Sequence, residues 1–198
     1  MTAAPARLVL ASRSSIRQQL LRDAGIAFTV DAADVDEDAL GRAVVAPPAR
    51  ALSLATAKAC AVSERQPGAL VLGVDQVGVL ADGAFLEKPR DADDHVRLLL
   101  SLAGRSHTFF VGAALVVDLV VRATVQEQAT VTFRAFDERV ARAYVATGEG
   151  ASSCGGYQCE HRGAQLLARI DGDPHVVLGL PLYGVLEVLR QNAPALML

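Results

Sequence analysis

Cysteine is scarce in this chain. Cys60, Cys154 and Cys159 are odd in number and form no CxxC pair, which argues against a disulfide framework. Long apolar runs are missing as well, since none approaches the ~20 residues that a membrane span needs. The opening stretch from Met1 to Arg7 holds no apolar core of signal-peptide length. Such a chain is expected in the cytoplasm, with no membrane partner. A net charge of −3 leaves no basic excess, which argues against non-specific nucleic-acid binding. Neither a GxxxxGKS/T loop nor a GxSxG elbow occurs, so P-loop chemistry and Ser–His hydrolysis are not expected.

What is present is a globular composition, 52% hydrophobic and 21% charged. The 198 residues fit one domain over 1–198, with room for two lobes. Arg7 to Ala11 reads as a strand, and Ser12-Arg13-Ser14-Ser15 supplies capping chemistry for a helix that Gly25 ends. Pro47-Pro48 opens a second helix, in which Lys58 is isolated among Ala51, Leu52, Leu54, Ala55, Ala59 and Val62. Ala69 to Val74 reads as a short buried strand, and Asp82-Gly83 as a hairpin. Asp91 caps a leucine-rich helix, two β-rich runs cover Thr108 to Val117 and Val120 to Phe133, and Asp137 starts another helix. A short strand over Gln165 to Ile170, a turn at Gly172-Asp173-Pro174 and a last helix after Pro181 complete a mixed α/β pattern around one sheet.

Polar residues interrupt this pattern at a few places. Asp75 stands at the end of the Ala69–Val74 run, where a carboxylate must find a metal, a cation or a proton to offset desolvation. Strand ends in α/β sheets are also where ligands bind. Ser12-x-Ser14-x-x-Arg17 sits at a strand-to-helix junction, either an anion site or an ordinary N-cap beside a solvated arginine. The acidic run with Asp34, Asp36, Glu37 and Asp38 offers oxygens to a hard cation, or is a solvated loop. Lys58 either snorkels or points into a cleft. Glu87-Lys88-Pro89 brings a second lysine near the Asp75 strand in sequence. Cys154-x4-Cys159-x-His161 lacks a second ligand pair, which disfavours zinc.

Taken together these segments resemble the Maf family of nucleoside triphosphate pyrophosphatases over nearly the whole chain. The resemblance rests on Leu10 to Arg17, Asp36-Glu37, Ala57-Lys58-Ala59, Gly73 to Val77, Glu87-Lys88-Pro89, Leu102 to His107, Thr132-Phe133-Arg134, Tyr144 to Glu149 and Gly179 to Leu182, in the family's order. It implies a highly curved mixed sheet flanked by helices, of the Maf/ITPase-like kind, with a cleft between two lobes. It further implies metal-dependent cleavage between the α- and β-phosphates of a nucleoside triphosphate. Asp75 would be the general base and, with Glu37, hold Mg²⁺ or Mn²⁺. Ser12, Arg17, Lys58 and Lys88 would bind the phosphates. Nothing in the sequence fixes the oligomeric state, and a homodimer stays open.

Three positions distinguish the family's branches, here Ile16, Gln76 and Glu160. Gln76, Glu160 and Cys154-Gly155-Gly156 resemble the branch acting on 7-methyl-GTP. The dTTP/UTP branch usually carries Arg, Thr and Gln at the three positions. Ile16 matches neither branch, Ser15 stands where Pro is usual, and Gln18 replaces an Arg. Two alternatives accompany this expectation: a dTTP/UTP pyrophosphatase, and a nucleotide-binding regulator of septum formation.

Overall fold

The computed structural model describes residues 7–37, 39–40, 44 and 46–198. Its strands are β1 (Leu8–Leu10), β2 (Thr29–Val30), β3 (Leu70–Leu80), β4 (Ser106–Val117), β5 (Val120–Phe133) and β6 (Leu167–Asp171). They form one mixed sheet in the order β2-β1-β3-β4-β5-β6. β1 pairs in parallel with both β2 and β3, whereas β5 and β6 pair antiparallel. The helices are α1 (Ser15–Asp23), α2 (Pro47–Ser63), α3 (Ala92–Leu102), α4 (Glu138–Val145), α5 (Pro174–Val177) and α6 (Leu182–Asn192). No helix among the described residues is long and apolar enough to cross a membrane.

The chain forms two compact units. The first comprises Met1–Gln76, Val111–Glu127 and Gly179–Leu198, and the second Val77–Phe110 and Gln128–Leu178. In the first unit, Val9, Ala11, Ala59, Val62, Val71 and Val116 pack into a fully buried aliphatic cluster. Helix α2 reaches the sheet at two glycines. A Cβ on Gly73 of β3 would lie 2.1 Å from the Ala55 carbonyl oxygen, and one on Gly112 of β4 would lie 2.5 Å from Leu52 Cα. Small residues on the helix (Ala51, Ala55 and Ala59 are all buried) complete this close approach.

The second unit is built around rings rather than small residues. His107 and Phe109 on β4, Phe133 on β5 and Tyr157 pack edge to face, with His107–Phe109 centroids 5.3 Å apart and Phe133–Tyr157 centroids 4.9 Å apart. Asp91 and Asp137 cap α3 and α4 by accepting from the backbone N–H groups of Asp94 and Val140.

Three expectations need correction. The strand read as Ala69 to Val74 runs on to Leu80, so Asp75 lies inside it and not at its exit. Val77 and Val79 continue the buried pattern, and the charge is met by a partner. The turn at Gly172-Asp173-Pro174 opens a short helix capped by Asp173. The stretch read as an acidic loop turns helical at Glu37: Asp36 accepts from Ala39 N–H at 2.9 Å and caps that turn. Asp38 lies outside the described residues.

Candidate active site

Asp75 projects from the middle of β3 and is only 6% exposed. Lys58 lies on α2, one helical turn beyond Ala55 and next to Ala59, the two residues that rest against Gly73. Gly73 therefore fixes the distance between helix and strand, and the lysine descends onto the aspartate two residues further along β3. Lys58 Nζ donates to Asp75 Oδ1 at 2.5 Å. The same ammonium lies 2.8 Å from Glu37 Oε1. Glu37 itself is exposed, so the lysine links a buried carboxylate to one at the surface.

Arg17 occupies the neighbouring position. Ser14 caps α1 by accepting from Arg17 N–H, and the Arg17 side chain turns inward from the first turn of that helix. Its Nε donates to Gly179 O at 2.7 Å, and its Nη1 donates to Val74 O at 3.0 Å and to Ser12 Oγ at 3.3 Å. A Cβ on Gly179 would lie 3.2 Å from Arg17 Nη2, so the bare glycine, at φ +86°, fits the guanidinium. Gln76 lies on the same side, its Oε1 3.3 Å from that Cβ position. Ile16 is half-buried on α1.

The electrostatics follow from these positions. Burial pushes the Asp75 carboxyl above its ordinary range; Lys58 and then Arg17 pull it down, and Glu37 adds to the rise. Burial outweighs the two cations because the strand around Asp75 is closed to water. Arg17 is shifted down by its own burial, against the opposing pull of Asp75 and Glu37. Glu37 and Asp75 thus converge on one cationic centre, the Lys58 ammonium. With Lys58 displaced, these two carboxylates could hold a hard divalent ion.

The second unit carries the other expected residues. Lys88 and Glu160 are both exposed there. The loop bearing Glu160 is tied to the segment bearing Lys88: Gly155 N–H donates to Glu87 O at 3.1 Å, and Cys154 Sγ donates to Leu86 O at 3.2 Å. Burial, with Glu160 nearby, pushes the Cys159 thiol up to about 12.

Ser12, Arg17, Glu37, Lys58 and Asp75 are therefore brought together in the first unit. Sequence reasoning missed the backbone that holds them. The carbonyls of Val74 and Gly179 orient Arg17, and Gly73 sets the helix position. A glycine inside an otherwise apolar strand was the available signal, because such a residue marks a close backbone approach.

Known proteins resemble the chain over nearly its whole length. The Maf family profile, described as Maf-like protein, matches residues 7–192. A dTTP/UTP pyrophosphatase from Symbiobacterium thermophilum is 41% identical over 188 residues, covering 93% of each chain. A 7-methyl-GTP pyrophosphatase from Rhizobium johnstonii is also 41% identical, over 93% of this chain and 96% of its own. Among solved structures, a HAM1 protein from Coxiella burnetii superposes with a TM-score of 0.47 at 17% identity, covering 96% of this chain and 98% of that one. Matched over nearly its whole length by both the profile and these relatives, the chain belongs to the Maf family.

Proposed function

We propose that this Maf-family chain hydrolyses nucleoside triphosphates to a nucleoside monophosphate and pyrophosphate, and that 7-methyl-GTP is its preferred substrate. The pyrophosphatase reading is supported by relatives named for that activity. One observation carries the chemistry: a buried carboxylate, Asp75, bonded to Lys58 and within the field of Arg17, in the same unit as Glu37.

Asp75 is the general base. Burial raises its proton affinity, which makes it a stronger acceptor for the proton of an attacking water near neutral pH. In the structure its Oδ1 is covered by the Lys58 ammonium. A triphosphate offers Lys58 competing oxygens, and movement of Nζ onto phosphate uncovers Oδ1. Arg17 is fixed by carbonyls on two sides and presents its charge without side-chain reorganisation. Ser12 would add a hydroxyl for the phosphates, and the exposed Lys88 of the second unit an ammonium. Glu37 and Asp75 would hold Mg²⁺ or Mn²⁺, which when bound neutralises charge on the phosphates and the departing pyrophosphate. Water is the only nucleophile required.

Relatives bearing either substrate name are 41% identical to the chain, so the preference rests on particular residues. Glu160 can accept from both the N1–H and the exocyclic amine of guanine. N7-methylation makes that ring cationic, so a carboxylate gains Coulomb energy in addition. Thymine and uracil present one ring N–H between two carbonyls, which a carboxylate repels. Gln76 and Cys154 also match the 7-methyl-GTP branch.

Pyrophosphate release from 7-methyl-GTP, GTP, dTTP and UTP, with Mg²⁺ or Mn²⁺ and with chelator, tests the reading. Metal-dependent turnover that is fastest with 7-methyl-GTP is expected. Asp75→Asn should reduce turnover by about 10²–10⁴-fold while nucleotide binding survives. Fastest turnover of dTTP would move the chain to the other branch, and no turnover of any nucleotide would favour a binding role.

A further inference from the structure

The loop that bears Glu160 is held by a series of polar clamps, all within the second unit. Cys154 Sγ and Gly155 N–H bond to the carbonyls of Leu86 and Glu87. The Gly156 carbonyl meets His95 Nε2 at 2.5 Å. Gln158 N–H donates to Tyr144 Oη at 3.0 Å, and Arg162 N–H donates to Glu149 Oε2 at 2.9 Å. At the centre of this series Tyr157 turns inward, and its hydroxyl meets His107 Nε2 at 2.8 Å.

The His107–Tyr157 bond differs from the other clamps. His107 is 1% exposed, and its Nδ1 has no hydrogen-bond partner. Its ring contacts are Phe109, Phe133 and Tyr157. Packing alone would favour an apolar residue there, since a buried polar atom without a partner costs free energy. The two groups share one hydrogen bond, in which either the phenol O–H donates to Nε2 or Nε2–H donates to the phenol oxygen.

We propose that Tyr157, held by neutral His107, is a positioning residue that fixes the Cys154–Glu160 loop and thereby the base preference of the enzyme. This rests on the nucleotide reading of Glu160 given above. Tyr157 lies three residues before Glu160, and its neighbours Gly155 and Gly156 have φ of +78° and +74°. A loop with two left-handed glycines does not hold its own shape, so the buried anchor beside them sets where the carboxylate lies. Because Gly155 bonds to Glu87, the same anchor bears on the segment carrying Lys88.

The test compares Tyr157→Phe, His107→Leu and His107→Gln with wild type. The first two remove the hydrogen bond and keep a filled core, whereas the glutamine amide restores a group that can donate or accept close to the place of Nε2. Two readouts are taken: amide exchange across residues 154–162, and the ratio of kcat/KM for 7-methyl-GTP to that for dTTP. In Tyr157→Phe and His107→Leu we expect faster exchange of the Gly155, Gln158 and Arg162 amides and a ratio about tenfold lower, with His107→Gln close to wild type. Unchanged exchange in folded Tyr157→Phe would overturn the proposal whatever the activity. Faster exchange with an unchanged ratio would also overturn it, leaving a merely structural bond. Faster exchange in a chain that turns over no nucleotide would instead sink the functional reading, while the clamp on the loop would stand.

Discussion

Lys58 Nζ and Asp75 Oδ1 are 2.5 Å apart, with the lysine 9% and the aspartate 6% exposed. Removing only one partner of such a pair leaves the other charge buried and unpaired. Lys58→Met should therefore destabilise the protein by about 3 kcal/mol. Lys58→Met/Asp75→Leu should recover most of that loss, because two apolar residues of similar volume leave nothing unpaired. Urea unfolding of the two variants decides it; equal stabilities would mean that water already reaches Asp75.

Gly73→Ala tests whether helix spacing sets the ion pair. The new methyl group meets the Ala55 carbonyl at 2.1 Å, a contact with backbone that no rotamer relieves. Overpacking of this kind costs roughly 1–3 kcal/mol. Lifting α2 also moves Lys58 away from Asp75, so kcat should fall together with Tm. A variant with wild-type kcat and a lower Tm would separate the packing from the site.

Glu160→Gln should lower kcat/KM for 7-methyl-GTP more than for dTTP or UTP. The change removes a charged acceptor from guanine and leaves the amide able to serve pyrimidines. A loss of roughly tenfold or more is expected for the guanine nucleotide. An equal response across the panel would reduce Glu160 to an exposed loop residue.

His107 predicts a pH dependence of stability. Burial lowers its pKa from 6.5 to about 4, so between those values the unfolded chain binds a proton that the folded chain does not. Stability therefore falls as pH drops from 6.5 towards 4 and is unaffected above 6.5. The full effect is about 3 kcal/mol. Asp75, whose carboxyl is raised, acts in the opposite direction, so the contrast between wild type and His107→Leu isolates the histidine. Parallel stability curves for the two proteins would contradict the assignment.

The helices were legible in the sequence because their punctuation is local. Ser14, Asp91 and Asp137 cap the helices they precede, and Pro47 starts α2. Lys58 and Asp75 were each legible as polar residues in apolar surroundings. Their pairing was not, because 17 residues separate a helical position from a strand position and no single period relates the two. The limit of β3 was misread for the same reason. A lone carboxylate looks like a strand end until the lysine that compensates it is in view. Asp36 was read as a candidate ligand, and the structure uses it as a cap. Tyr157 drew no notice at all, since an aromatic residue among glycines and cysteines carries no period.

The path of the chain has a consequence for handling this protein. It passes from one compact unit to the other after Gln76, Phe110, Glu127 and Leu178. No single cut separates the units, and a fragment that begins or stops between those points lacks part of both. The residues gathered around Asp75 come from either side of these passages: Arg17 is held by Gly179, 162 positions away. That contact cannot form until nearly the whole chain is available, so assembly of the site should be among the later and slower events of folding. On a ribosome, a nascent chain truncated before Gly179 would carry Asp75 and Lys58 yet lack the carbonyl that orients Arg17.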